Sequence, residues 1–244
     1  MYEAAIGADL CVIEEAADFL EEVPSNHSFM VTSCCPSWSD LVKKMFPKMK
    51  GNISVAMTPM VLTARFVKKQ HPGCKVVFVG PCDAKKLEAS RRTVRSDVDF
   101  VLTFEEVLGM FAAKGVDKEC IPMEEARPLT QAGADARMFS VSGGVAQAVV
   151  NAIKSIDPDR EVMVAKATGL DECRKMLLMA KAGKYDGYLL EGMACPGGCV
   201  AGAGTLQPVE KSKKEVSGFS ARAEYSCAYD TEYKEYLPLI EEKE

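Results

Sequence analysis

The sequence predicts an α/β fold made of two lobes of mainly parallel sheets flanked by helices. Two observations predict it. Short β-rich runs alternate with stretches of helical period, the pattern of parallel strands joined by crossover helices. The chain has 244 residues, 48% of them apolar, enough to bury a substantial core.

In chain order, the first β-rich run, over 29–32, ends in a Cys-Pro loop and opens a helical stretch over 38–46. A second helical stretch, over 59–70, begins at Pro59, where a first-turn proline is tolerated, and stops at Pro72 and Gly73. The run over 75–79 ends in a Gly-Pro-Cys loop. The run over 99–102 feeds a helix over 104–114, and Thr103 with Glu106 forms a capping box at its start. Helices over 144–156 and 171–182 flank a run at 161–165, and a last run at 185–190 precedes a polar helix near 207–216. Each run is apolar enough to be a buried parallel strand. Residues after Lys211 are charged and aromatic and read as a helix followed by a surface wrap. Pro, Gly and acidic residues collect near 118–135, which marks a lobe boundary within one domain spanning 1–244.

The net charge of −5 comes from acidic and basic residues mixed along the chain, which argues against nucleic-acid or membrane-surface partners. No apolar run approaches the roughly 20 residues of a membrane span, and no signal peptide opens the chain. A cytoplasmic protein is expected. Ten cysteines in a reducing compartment point to metal or redox chemistry rather than to disulfides.

Five of those cysteines stand in loops after predicted strands: Cys34 and Cys35 in TSCCPSW, Cys82 in VGPCDAKKLE, and Cys195 and Cys199 in EGMACPGGCVAGAG. Loops beyond the carboxyl ends of parallel strands converge on one crevice, so cysteines 47 and then 113 residues apart become neighbours there. Their flanking Pro and Gly residues let backbone approach a bulky cluster and leave amides free to bond its sulfides. One thiolate each from the first two loops and two from the third supply the four that an iron-sulfur cluster needs. Zinc competes for such ligands, but its paired C-x2-C spacing does not occur. Cys11, Cys74, Cys120, Cys173 and Cys227 lie singly and read as small buried hydrophobes.

TSCCPSW, GPCDAKKLE and EGMACPGGC, in this order, resemble the three signature loops of the FeFe (iron-only) hydrogenase catalytic domain, and the similarity extends over nearly the whole chain. The resemblance implies that Cys35, Cys82, Cys195 and Cys199 hold a 4Fe-4S cluster in the crevice between the lobes. It implies that Cys199 also bridges to a diiron subsite carrying CO, cyanide and an azadithiolate, the composite called the H-cluster. In that family hydrogen is split heterolytically at the outer iron while the bridging amine takes the proton. By the same resemblance Lys85 donates a hydrogen bond to a cyanide, a charge-assisted contact. Met193 and Phe139 line the diiron cavity, and Pro81 joins the cofactor contacts.

The resemblance also implies a proton route in which Cys34 relays to Glu15, Ser54, Asp18 and Glu88. Asp18 stands where the family usually has glutamate, one methylene longer, so a bridging water is expected. Gly80, Met60 in a TPM segment and the AGAGTLQP continuation depart from the most active members, which suggests a less-studied branch in which sensory or slow hydrogenases occur.

Met1 and Tyr2 enter the resemblance partway, so the catalytic domain is expected to be N-terminally incomplete. No C-x2-C-x2-C run is present, so electrons are expected from ferredoxin or an attached ferredoxin-like domain, and the diiron subsite from maturation proteins. The competing reading is a non-catalytic, hydrogenase-like assembly factor for iron-sulfur clusters, to which the KKLEAS segment is similar. Cys34 and Lys85, present together with intact loops, favour catalysis.

Overall fold

A computed structural model describes residues 1–117, 120–122 and 131–241. In chain order the elements are α1 (Ala5–Glu22), β1 (Met30–Val31), α2 (Pro36–Met45), α3 (Pro59–Gln70), β2 (Val77–Val79), α4 (Ala84–Ala89) and β3 (Phe100–Leu102). They continue with α5 (Phe104–Ala113), α6 (Ala134–Arg137), α7 (Gly144–Ile156), β4 (Met163–Thr168), α8 (Leu170–Lys181), β5 (Tyr188–Met193), α9 (Val209–Ser220) and α10 (Leu237–Glu241). Much of the expected lobe boundary near 118–135 lies outside the described residues.

The strands form two parallel sheets, one ordered β1-β5-β4 and one pairing β2 with β3. In the larger sheet β5 is central and buried along its length after Tyr188, so alternate residues serve opposite layers. Leu189 packs with Val12, Ala16 and Phe19 of α1 and with Val149 and Ile153 of α7. Leu190 packs with Trp38 and Val42 of α2 and with Cys173 and Leu177 of α8. Trp38 is fully buried because Gly192 of β5 leaves room for its indole, since a Cβ there would lie 2.3 Å from the ring.

The other face of α1 carries Ile6, Leu10 and Cys11 onto Leu62 and Phe66 of α3, with Tyr233 and Ile240 of the tail closing that layer. The helices cross closely because Gly7 has no Cβ, which would lie 2.1 Å from the Pro59 carbonyl oxygen. On its far side α3 turns Met60, Val61 and Ala64 to Val98, Phe78 and Val101, which ties the small sheet to the rest.

Several expectations need correction. The strands at 75–79 and 99–102 are not fully buried: Val77, Val79 and Phe100 are 48%, 43% and 61% exposed, because one face of this sheet packs on α3 while the other lies open. Met163 and Val164 are exposed likewise, since β4 is an edge strand. β4 and β5 end three residues beyond the expected 165 and 190, so β5 runs to Met193. The long α1 and the short α4 were not among the expected helices. Cys120 is exposed, and Cys74 and Cys227 are only partly buried, so the buried-hydrophobe reading holds for Cys11 and Cys173. The capping box is as expected: the Glu106 amide donates to Thr103 Oγ1 at 3.2 Å and the Thr103 amide to Glu106 Oε2 at 2.7 Å. The tail is more than a surface wrap, because Tyr233 and Ile240 are buried. Among the described residues no helix is long and apolar enough to cross a membrane.

Candidate metal centre

Parallel pairing puts the carboxyl ends of β1, β5 and β4 at one edge of the large sheet. The ladder runs on past β1, with the Thr32 amide donating to the Leu190 carbonyl at 3.1 Å, and the chain then turns through Ser33 and Cys34 to Cys35 at the N-cap of α2. Beyond β4, the Gly169 amide donates to the Met193 carbonyl at 2.8 Å. The third cysteine loop leaves from Met193 beside both.

That loop is pinned from three sides. The Gly197 amide donates to Thr168 Oγ1 at 3.2 Å, and the Ser142 amide donates to the Gly197 carbonyl at 3.2 Å. The Gly204 amide donates to the Pro81 carbonyl at 3.0 Å, which joins the third loop to the second at the carboxyl end of β2. Gly198 has a positive φ of 102°, and a Cβ there would lie 2.6 Å from the Ser140 carbonyl oxygen. Only glycine fits both the backbone and the space.

The four expected ligands are electrostatic neighbours in this crevice. Burial pushes the Cys199 thiol up to about 12, and Cys35, Cys82 and Cys195 add to the rise while the Lys85 ammonium opposes it. Burial likewise raises Cys195, with Cys82 and Cys35 contributing. Cys82 is raised by burial and moderated by the amides of Lys85 and Ala84 and by the Lys85 charge. Thiols held in such surroundings do not ionise near neutrality without a metal, and a metal ion reverses that preference.

The donor set fits a cluster better than a single ion. Among the described residues no three His, Cys, Asp or Glu side chains are gathered to hold one metal ion. Tetrahedral zinc needs its thiolates gathered about 2.3 Å from the metal. Four soft thiols set around a glycine-walled crevice suit a larger, multi-iron group.

The side chains of Cys34 and Cys35 part company. Cys35 packs on the cluster of Trp38 and Leu190, whereas Cys34 packs on that of α1 and α3. Burial pushes the Cys34 thiol well up, and Glu15 is the first charged neighbour to add to the rise. Lys85 Nζ donates to the Cys34 carbonyl at 3.3 Å and pairs with Glu88 Oε2 at 2.7 Å. Met193 is buried at the end of β5, and Phe139 packs against two core clusters in the short 3-10 turn before α7.

The expected proton-route residues do not form one hydrogen-bonded chain. Glu15 is fully buried, and its Oε1 accepts from the Ser33 amide at 2.6 Å and the Ser33 hydroxyl at 3.0 Å. Ser54 Oγ donates to Asp18 Oδ2 at 2.6 Å, and the Val55 amide donates to the same oxygen at 3.0 Å. Glu88 sits apart on α4 with Lys85.

Sequence reading missed Glu191. This fully buried carboxylate on β5 accepts the amides of Gly143 at 2.6 Å and Ala146 at 2.8 Å, capping α7 and fixing the turn that touches the third loop. A single glutamate inside the apolar run YLLEGM was the available signal, because a buried charge needs partners. Ser33 was missed as well.

Burial raises the Glu15 carboxyl from 4.5 to about 7, with the Ser33 hydrogen bonds opposing and Asp18 and Glu191 adding to the rise. The folded protein therefore binds a proton at Glu15 more tightly than the unfolded chain. Glu15 then lends relative stability at low pH that is lost as pH rises from about 4.5 through about 7. We expect Glu15→Gln, measured by thermal melts without cluster, to gain stability over the parent at pH above about 7 but not near pH 5. A difference that does not change with pH would rule out this titration.

The family model for the C-terminal domain of the iron only hydrogenase large subunit matches residues 1–203. The NADP-reducing hydrogenase subunit HndD of Solidesulfovibrio fructosivorans is 28% identical, with 88% of this chain and 44% of that protein covered. The cytosolic Fe-S cluster assembly factor NAR1 of Kluyveromyces lactis is 24% identical, with 72% of this chain and 39% of that protein covered. A solved structure of the FeFe hydrogenase HydA1 from Chlamydomonas reinhardtii matches with a TM-score of 0.72 over 97% of this chain and 78% of that one. At 19% identity that match shows the fold. The chain spans about half the length of the curated relatives it matches.

Proposed function

The chain belongs to the family of C-terminal domains of iron-only hydrogenase large subunits, and from that premise we propose that it is an iron-sulfur oxidoreductase interconverting hydrogen with protons and electrons. The observation that carries the reading is the meeting of three cysteine loops at the carboxyl edges of both sheets, with Lys85 beside them.

In this reading Cys35, Cys82, Cys195 and Cys199 would hold a 4Fe-4S cluster, and a diiron subsite carrying CO, cyanide and azadithiolate would complete the H-cluster. When bound, that H-cluster would supply the heterolytic cleavage of hydrogen. The chain's own residues do the rest. Lys85 presents an ammonium at the cluster crevice, where its charge favours anionic groups. Met193, Phe139 and Pro81 are the candidate residues to border that subsite and exclude water from it, which would strengthen every electrostatic contact inside. Cys34 holds an exchangeable proton beside Glu15, and Glu15, Ser54, Asp18 and Glu88 are the candidate groups that pass protons outward. Electrons come from ferredoxin or an attached ferredoxin-like domain, and maturation proteins install the subsite. We place the protein in the cytoplasm, where its ten free cysteines stay reduced.

Similarity to the NAR1 assembly factor favours a second reading, a cluster-bearing protein without the diiron subsite. Infrared absorption of the protein matured together with hydrogenase maturation factors separates the two. Bands of CO and cyanide are expected. Their absence, with iron fully loaded at the cysteines, would favour the assembly-factor reading.

A further inference from the structure

The turn over 131–137 is held from two sides. Toward α1, the Gly133 amide donates to Asp9 Oδ2 at 2.9 Å, the Ala132 amide to Glu3 Oε1 at 3.2 Å, and Arg137 Nε to Glu3 Oε2 at 2.8 Å. Toward the tail, the Ala134 amide donates to the Tyr225 carbonyl at 2.9 Å, the Asp135 amide to the Ser226 carbonyl at 3.2 Å, and the Gln131 amide to the Tyr233 hydroxyl at 3.2 Å. This tail lies beyond residue 203, where the match to the family model ends. Asp9 is the odd member of the set. It is fully buried, and among the described residues one amide is all that its carboxyl accepts and Oδ1 has no partner. A buried carboxylate so poorly compensated is costly. Oδ1 and the Cys227 carbonyl oxygen both crowd the bare Cα of Gly133, since a Cβ there would lie 2.8 Å from the first and 3.3 Å from the second.

We propose that the tail is a strap fastened by a proton: the protonated Asp9 carboxyl donates from Oδ1 to the Cys227 carbonyl, and loss of that proton releases the tail. One proton removes the orphan. It makes Oδ1 a donor and leaves Oδ2 to keep the Gly133 amide. Without it two oxygens, one of them charged, crowd the same glycine in a low-dielectric core, where repulsion and missing hydration are both costly. On release the Asp9 O–H bond breaks, its electron pair stays on the carboxylate, and the proton passes to the water that the loosened tail admits. Refastening is the reverse. The strap and the third cysteine loop share one support, because the chain runs on from this turn to Ser142, whose amide donates to the Gly197 carbonyl. The latch itself does not depend on which cluster the crevice holds.

The surroundings suit such a latch. Burial is the main cause that lifts the Asp9 carboxyl from 3.8 to about 7; the Gly133 amide opposes the rise, Glu3 and Asp135 add to it, and the Arg137 guanidinium opposes it. Glu3 precedes α1, Asp135 and Arg137 belong to α6, and from the tail Tyr233 is the ionisable group on which Asp9 acts. The docked form therefore holds the proton more tightly than an Asp9 exposed to water. Support for docking is complete below about 3.8 and is lost as pH rises through about 7. Between pH 6 and pH 8 the docking equilibrium changes about tenfold, for a carboxyl that returns to 3.8 when exposed.

The test is amide exchange of the full chain in heavy water, read by mass spectrometry over peptides 131–137 and 225–236 in steps from pH 6 to pH 8 and corrected for the intrinsic pH dependence of exchange. In the parent, exchange over both peptides is expected to quicken about tenfold with a midpoint near pH 7, while peptides of α8 keep their rate. Asp9→Asn, which keeps the shape and carries a permanent donor, is expected to hold the tail equally at both ends of the range. Asp135→Asn removes a charge that raises Asp9 and is expected to move the midpoint to lower pH. A flat parent profile, or a transition that persists in Asp9→Asn, overturns the latch. Should Asp9→Asn fail to fold, Asp135→Asn decides alone: a lowered midpoint supports the latch, and a midpoint that stays or a transition that disappears refutes it.

Discussion

Anaerobic reconstitution without maturation factors is expected to load about four irons per chain, and Cys35→Ala, Cys82→Ala, Cys195→Ala and Cys199→Ala are each expected to lose most of them. Thiolates alone assemble a cubane, whereas a diiron subsite needs dedicated machinery. The prediction rests on the crevice, where burial disfavours the ionised forms of Cys82, Cys195 and Cys199 and the neighbouring cysteines, Cys35 among them, add to that rise. A site like this is costly to keep charged when empty, so one missing ligand leaves the other three without their compensation. Cys227→Ala is the control, because this tail cysteine caps a short 3-10 turn with Asp230 and lies beside Ser155, at 3.9 Å, and the variant should keep its iron. Because metal binding and folding are coupled, the ligand variants should also lose the thermal stabilisation that loading gives the parent. Full iron in all four variants would sink the ligand assignment.

How much of this was legible in the sequence depends on whether the signal is local. The capping box of α5 was readable because Thr103 and Glu106 are three residues apart and act through their own backbone. Strand and helix order was readable because period and punctuation are local, although β4 and β5 run on to Thr168 and Met193. The convergence of the cysteine loops followed from parallel topology, and the Gly204-to-Pro81 bond between the second and third loops bears it out. What was hidden depends on partners far along the chain. Ser33 meets Glu15 across 18 residues and Glu191 meets Gly143 across 48, and no spacing rule announces either. The open face of the β2–β3 sheet was hidden for a related reason. An apolar run such as VFV reports that a strand wants cover, and only the three-dimensional arrangement shows that α3 covers one side.

The adjacent cysteines should separate cleanly in a maturated protein. Cys34 and Cys35 are neighbours in sequence, but their side chains enter different layers, one against α1 and α3 and the other against Trp38 of α2. A ligand must be a thiolate bonded to iron, so Cys35→Ala should remove cluster and stability together. A relay needs only an exchangeable proton within reach of the next group, and Glu15 is the charged group that acts most strongly on the Cys34 thiol. Cys34→Ala should therefore keep the iron-sulfur absorption while hydrogen turnover falls by roughly 10² or more, the usual worth of a positioned proton donor. Cys34→Asp puts a titratable oxygen in the same place and should recover part of that loss. Cluster bleaching in Cys34→Ala together with retention in Cys35→Ala would reverse the two roles. Unchanged turnover in Cys34→Ala would remove this cysteine from the proton route, because a group that carries the transferred proton cannot be deleted without slowing the transfer.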